Sequence, residues 1–226
     1  MSEIYMVPVD MEMTNEQYDQ LRLRVSDSKA SAIKKYLFRM DAIRSLTGES
    51  MIRHIISQKY DMENHDISFR KNAFGKPFVK DLSSFHFNIS HAGKWVVCAI
   101  DSRPIGIDIE KVKKIDLQIA NRFFSKTEVN DLYRQSYSDQ TDYFYKLWTL
   151  KESYIKMVGR GLSISLDSFS CSIQPDNHVT FNTECKTSDV YLKLYEPDSC
   201  YKMSICQTHE QFPLKINYLT IDEILG

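Results

Sequence analysis

Apolar and polar residues alternate in several short stretches of this 226-residue chain, and a period of two is the pattern of a β-strand. The sharpest case is PIGIDIEKVK, residues 104–113. Ile105, Ile107 and Ile109 fall on one side, and Gly106, Asp108 and Glu110 fall on the other. Strands are also predicted over residues 4–9, 67–70, 86–89, 95–100, 169–173, 191–195, 201–206 and 216–221, with Pro8 favouring an edge position for the first. Elsewhere helical spacing takes over. Ile43, Leu46, Ile52, Ile55 and Ile56 predict a helix from about residue 29 to 57, weakened at Gly48. Thr14 with Gln17, and Ser125 with Glu128, form capping boxes that open two short helices. A longer helix is predicted over 142–158, ended by Gly159. KWVVC at 94–98 and KMSIC at 202–206 echo each other weakly, either by chance or as central strands of two related halves. Helices set among short strands, without a GxGxxG or Walker loop, imply an α+β fold rather than a Rossmann one.

Two carboxylates on one strand face need a reason, because like charges repel and Asp and Glu are poor strand formers. One reading turns that face to solvent, with Gly106 as a bulge or turn. The other supplies positive charge nearby. In FYKLWTLKESYIKM, residues 144–157, Lys151 and Glu152 interrupt an apolar stripe of Phe144, Leu147, Trp148, Ile155 and Val158, and Lys156 lies one turn beyond Glu152. Glu152 and Lys156 read as an exposed i,i+4 pair worth about 0.2–0.5 kcal/mol, or as the floor of a cleft; charges on a packing face favour the cleft. Converging there, Asp108, Glu110 and Glu152 would suit a hard cation such as magnesium, which binds oxygen, keeps waters and takes substrate phosphates. Gly75-Lys76-Pro77 is a turn presenting a lysine. In Ser90-His91-Ala92-Gly93 the adjacent Ser and His point to opposite faces of an extended chain, so His91 fits a structural or phosphate-binding role better than a nucleophile pair. The basic residues Arg22, Arg24, Lys29, Lys34, Lys35, Arg39 and Arg44, opposed only by Asp27 and Asp41, form either a solvated helix face or a second phosphate site.

Composition narrows the class. Hydrophobic residues at 42% and charged residues at 26% describe an ordinary globular chain, and a net charge of -1 gives no support to a nucleic-acid binder. MSEIYMVPVD lacks the regions of a secretion leader, and no stretch reaches the length of a membrane span. Cys98, Cys171, Cys185, Cys200 and Cys206 contain no CxxC pair and fit neither a disulfide framework nor a structural zinc site. A cytoplasmic protein without nucleic-acid or membrane partners is expected.

Three segments in this order and spacing, FNISHAGKWVVCAI (87–100), PIGIDIEKVK and FYKLWTLKESYIKMVGRGL (144–162), resemble the Sfp-type 4′-phosphopantetheinyl transferases. AFGKPFV (73–79) and RFFSKTE (122–128) agree, and the resemblance covers essentially the whole chain. It implies a pseudo-twofold pair of α+β halves, 1–103 and 104–226, with the active site between them. It implies transfer of the phosphopantetheine arm of coenzyme A to a serine of an apo acyl or peptidyl carrier protein, releasing 3′,5′-ADP and activating assemblies such as those of nonribosomal peptide and antibiotic synthesis. By the same resemblance Asp108, Glu110 and Glu152 bind magnesium. Glu152 is the general base, directly or through water, in tension with the lowered basicity of a cation-bound glutamate. Lys156 contacts the pyrophosphate, Lys76, Ser90 and His91 contact coenzyme A phosphates, and Lys29, Arg44 and Ser45 surround the 3′-phosphate and adenine. Where the family carries a second lysine three positions after Lys29, this chain has Ala32, so either Lys34 or Lys35 substitutes or the 3′-phosphate is held less tightly. Ile115, Leu117, Ile119, Phe123 and Phe124 fall where the family docks its carrier, Glu128 falls near the active site, and a monomer is expected. A non-catalytic module that binds coenzyme A or a nucleotide is the alternative, but it has no use for Glu152 with Lys156. A magnesium-dependent phosphohydrolase would need a motif that positions water, and none is evident.

Overall fold

Two small sheets, each backed by one long helix, carry the chain; the computed structural model describes residues 1–183 and 189–226. The elements run β1 (Glu3–Pro8), α1 (Asn15–Arg24), α2 (Asp27–Ile33), α3 (Arg39–Tyr60), β2 (Phe69–Lys71), β3 (Pro77–Val79), β4 (His86–Ala92) and β5 (Trp95–Asp101). They continue with β6 (Ile105–Lys111), α4 (Ala120–Phe123), α5 (Lys126–Arg134), α6 (Gln140–Val158), β7 (Phe169–Ile173), β8 (Val179–Thr183), β9 (Tyr191–Tyr195), β10 (Tyr201–Gln207), β11 (Ile216–Tyr218) and α7 (Ile221–Leu225). The first sheet has the order β11-β1-β5-β4 and the second β6-β10-β9, with β2-β3 and β7-β8 as separate hairpins. The echoing segments are indeed central: β5 lies between β1 and β4, and β10 between β6 and β9. The fold is α+β in two halves.

Alternation assigns each strand two buried faces. In β5, Val96, Cys98 and Ile100 pack with Ile43, Leu46 and Ile52 of α3, while Val97 and Ala99 turn to the other side with Ile4 and Met6. Ile105, Ile107 and Ile109 of β6 meet that second set together with Met203 and Ile205 of β10, so one apolar cluster joins the two sheets. The opposite face of β6 looks at α6. A Cβ on Gly106 would stand 2.0 Å from the Ser153 carbonyl oxygen and 2.4 Å from the Met157 nitrogen. The solvent reading of the Asp108 face therefore fails. Nor is Gly106 a bulge or turn, since β6 pairs with β10 without a break and the missing side chain admits the backbone of α6.

The edge strands β4 and β6 lie against each other, joined by side chains. Ile107 N donates to Asn88 Oδ1 at 2.9 Å and Ile109 N to Ser90 Oγ at 3.4 Å. These contacts satisfy strand N–H groups that would otherwise be buried without partners. The chain then returns to its beginning: β11 pairs in parallel with β1, and Ile224 of α7 is buried in the first core.

Several expected boundaries move. The single helix over 29–57 is two, α2 (Asp27–Ile33) and α3 (Arg39–Tyr60), separated by residues 34–38, where Tyr36, Leu37 and Phe38 stay exposed instead of joining the core. Gly48 does not weaken α3; it lies against Ile89, whose Cγ2 would stand 3.1 Å from a Cβ. β1 is not an edge, since Pro8 closes the strand opposite Trp95 where no further N–H is needed. The last strand stops at Tyr218, after which Thr220 caps α7. Cys98, Cys171, Cys200 and Cys206 are free thiols, and Cys185 lies outside the described residues.

Gly106→Ala is expected to lower the unfolding free energy by roughly 3 kcal/mol, because the clash is with backbone and no rotamer can relieve it. Urea titration reads this directly; a loss under about 1 kcal/mol would mean that α6 yields at little cost.

Candidate active site

Asp108 lies in mid-strand at 3% exposure, covered by α6. Its Oδ1 accepts hydrogen bonds from Ser90 Oγ at 2.8 Å and from the Lys156 ammonium at 2.5 Å, and that ammonium also donates to Ser90 Oγ at 3.0 Å. β4, β6 and α6 thus meet at one carboxylate. Glu110 shares the strand face of Asp108, and Glu152 lies one turn before Lys156 on α6. The Glu110 carboxyl is pushed up to about 7, by burial first and by Asp108 next, with Glu152 adding and Lys156 opposing. The Glu152 carboxyl is also raised, by burial and then by Asp108 against Lys156. Lys156 serves all three carboxylates and Lys113 acts on Glu110, yet both glutamates stay raised, so the cluster is short of positive charge.

The donor atoms here, carboxylate oxygens, are of the type that a hard cation takes. Asp108 Oδ2 is buried and accepts no hydrogen bond, and the two glutamates beside it are starved of counter-charge. Among the described residues no three histidine, cysteine, aspartate or glutamate side chains are grouped so as to hold a metal ion as they stand. Lys156 supplies the neutralising charge to Oδ1 and leaves Oδ2 free.

Next to the node, a cavity of about 670 Å³ is bordered by Lys29, Arg44, Ser45 and His91, four of the residues singled out from the sequence. Desolvation first, then Arg44 and Lys156, lowers the His91 pKa, although its ring keeps contact with solvent. His91 therefore feels both the cavity and the carboxylate node. Arg44 is held by Asp41 at 2.7 Å and by the Gly93 carbonyl at 2.8 Å, and Ser45 Oγ lies 3.2 Å from the Tyr36 hydroxyl.

Lys76 is placed differently. Its ammonium donates to the carbonyls of Ile105 at 3.1 Å and Met157 at 3.0 Å, and burial lowers its pKa to about 8. It ties the β2–β3 turn to the end of α6, where Asn72 also donates to the Gly159 carbonyl at 2.8 Å. Lys34 and Lys35 do not border the cavity. Tyr36, Arg70 and Lys71 do, and sequence reasoning missed them. Arg70 and Lys71 were visible only as charges before a turn, and their relevance comes from the hairpin fold.

Lys151 does not enter the cleft with Glu152. Its ammonium is 2.8 Å from Glu128 Oε2 and from the carbonyls of Leu166 and Phe169, and both members of the ion pair are 1% exposed. Glu128 also accepts from Ser125 N and Cys171 N, both at 2.8 Å. The pair is an anchor in the second core and is fully engaged there, rather than a contributor to the carboxylate node.

Residues 104–206 match a family profile described as the 4′-phosphopantetheinyl transferase superfamily, and residues 12–103 match one described as 4′-phosphopantetheinyl transferase, N-terminal. The chain belongs to the 4′-phosphopantetheinyl transferase family. It is 44% identical over 223 residues to the 4′-phosphopantetheinyl transferase Sfp of Bacillus subtilis, covering 99% of this chain and 100% of that one. It is 38% identical over 227 residues to the 4′-phosphopantetheinyl transferase gsp of Aneurinibacillus migulanus, covering 99% and 94%. A holo-(acyl-carrier-protein) synthase from Bacillus anthracis, solved in complex with CoA (3′,5′-ADP), aligns with 48% of this chain and 96% of its own at a TM-score of 0.42 and 19% identity.

Two outcomes follow from these electrostatics. A carboxyl pKa raised from 4.5 to about 7 means that the native Glu110 binds more protons than the unfolded chain between those values. Stability of the cation-free protein should therefore fall as pH rises through that window, and Glu110→Gln should flatten the fall in urea titrations made in chelator. Glu128→Gln leaves the Lys151 charge without its anion and should cost about 3 kcal/mol, seen as a lower denaturation midpoint at every pH.

Proposed function

We propose that this chain transfers the 4′-phosphopantetheine arm of coenzyme A to a serine hydroxyl of an apo acyl or peptidyl carrier protein and releases 3′,5′-ADP. The observation that carries this reading is the Asp108–Ser90–Lys156 node, with Glu110 and Glu152 beside it and a cation-bordered cavity next to it. The carrier serine oxygen forms a bond to the pantetheine-linked phosphorus. The bond from that phosphorus to the bridging oxygen breaks, and the electrons leave with 3′,5′-ADP. Glu152 accepts the serine proton, directly or through water, and burial beside Asp108 favours the proton on it. Lys156 offers positive charge to the pyrophosphate where charge builds up. Magnesium held by Asp108, Glu110 and Glu152 would add Lewis-acid neutralisation of the same oxygens.

The division of labour in this reading follows the chain. Residues 1–103 contribute Lys29, Arg44, Ser45, Ser90 and His91 to the phosphates and adenine, while residues 104–226 contribute the carboxylate strand and the catalytic helix. Lys76 acts by holding the β2–β3 turn against α6. The carrier docks on the apolar stretch that follows β6, where Ile119 is exposed, Ile115, Leu117 and Phe123 are half-buried, and Phe124 belongs to the core. No helix among the described residues is long and apolar enough to cross a membrane. We place the protein in the cytoplasm as a monomer, both sides of the site coming from one chain, serving peptide synthetases of the kind that make antibiotics.

Intact mass spectrometry of an apo peptidyl carrier protein, incubated with this protein and coenzyme A in magnesium or chelator, tests the reading. The expected result is a magnesium-dependent gain of one phosphopantetheine group. Glu152→Ala should fold normally, Asp108→Ala should fold with lower stability because it frees Ser90 and Lys156, and both should transfer at least about 100-fold more slowly. Tight coenzyme A binding without a mass gain on several carriers would point to a binding module instead.

A further inference from the structure

The cavity beside the carboxylate node is bordered by cations from three separate elements, with Arg44 on α3 one of them. On α2, Lys29 faces it, and one turn along the same face comes Ala32. The β2–β3 hairpin contributes Phe69, Arg70, Lys71 and Pro77. Strand alternation sorts the side chains of that hairpin. Phe69 packs beside Phe87 at the edge of the first core, so Lys71, two residues on, shares its face, and Lys71 pairs across the hairpin with Pro77. Arg70, which also borders the cavity, pairs with the exposed Phe78 and stands on the other face of the strand.

Two other charges at the cavity, Arg44 and Glu49, are already engaged. Arg44 is held by Asp41, and Glu49 accepts from both Arg53 and Ser26 N. Among the described residues, the Lys29 and Lys71 ammonium groups have no ion pair or hydrogen bond. Two unengaged ammonium groups on one cavity complement a dianion. Coenzyme A carries one at its ribose: a phosphomonoester is mostly dianionic at neutral pH, its second pKa being about 6. The pyrophosphate belongs with Lys156 and the carboxylate node, which leaves the ribose 3′-phosphate for the cavity. Lys34 and Lys35, the nearest substitutes in sequence, point away into solvent.

We propose that Lys71 is the second cation of the 3′-phosphate site, replacing from the hairpin the charge that α2 lacks at Ala32, and that it sets the preference for coenzyme A over 3′-dephospho-coenzyme A. The inference rests on the function proposed above and deepens it.

Isothermal titration of the full chain in magnesium, without carrier, compares the two ligands. Lys71→Ala should weaken coenzyme A by about tenfold, the scale of one hydrogen bond to a charged group, while 3′-dephospho-coenzyme A changes by less than about twofold. Lys71→Arg should restore the preference. In transfer assays KM for coenzyme A should rise with kcat unchanged, the mark of lost uniform binding. A double Lys34→Ala, Lys35→Ala variant should keep the wild-type ratio. Equal weakening of both ligands by Lys71→Ala, no weakening of either, or loss of the preference in the Lys34/Lys35 variant would overturn the inference while leaving the transferase reading intact. Wild-type protein that binds neither ligand would overturn both.

Discussion

One buried carboxylate holds the functional end of this molecule together. Asp108 belongs to β6, is hydrogen-bonded by Ser90 of β4, and is paired with Lys156 of α6. Each partner comes from a different structural unit, so the node fixes the edge of one sheet against the edge of the other and sets α6 over both. A carboxylate at 3% exposure is costly to bury without compensation. Here Oδ1 receives the compensation and Oδ2 does not, and that asymmetry turns a structural clasp into a candidate metal ligand.

The rotation of α6 about its own axis is the second constraint. Lys151 and Glu152 are neighbours, and the 100° step of a helix sends them in different directions. Lys151 is driven into the second core, where Glu128 and two carbonyls surround its ammonium. Breaking such a pair is far more costly than its net contribution suggests, because the surviving charge has no water to turn to. With Lys151 anchored, Glu152 and Lys156 turn toward β6. Gly106 completes the arrangement by letting the helix backbone reach the strand. The burial that positions the glutamates also raises the pKa of Glu110 and Glu152, so geometry and acid–base character have one cause.

Much of this was legible in the chain. The strict alternation around Asp108, the capping boxes at Thr14 and Ser125, the long helix ending at Gly159 and the paired central strands all follow from local rules, and the structure contains them. The oddity of two carboxylates on one strand face was visible too, and it pointed correctly to positive charge nearby, which is Lys156. Lys29, Arg44, Ser45 and His91, each singled out from the sequence, border one cavity. The break between α2 and α3 was not legible, because spacing alone does not show that Leu37 and Phe38 stay outside the core.

What the sequence determined by itself is the set of elements and the chemical types they carry, since periodicity, caps and turn residues act over a few positions. Tertiary structure decided which charges face each other. Lys151 and Glu152 are equally charged helix residues on paper, and only packing makes one an anchor and the other a member of the site. Lys76 reads as a phosphate ligand in its turn, and only the approach of the α6 carbonyls engages its ammonium elsewhere. Lys71 reads as a solvated charge, and only the fold of its hairpin beside α2 brings it to the cavity. Charge is a local property of the sequence, but its partner is chosen over distances that no local pattern records.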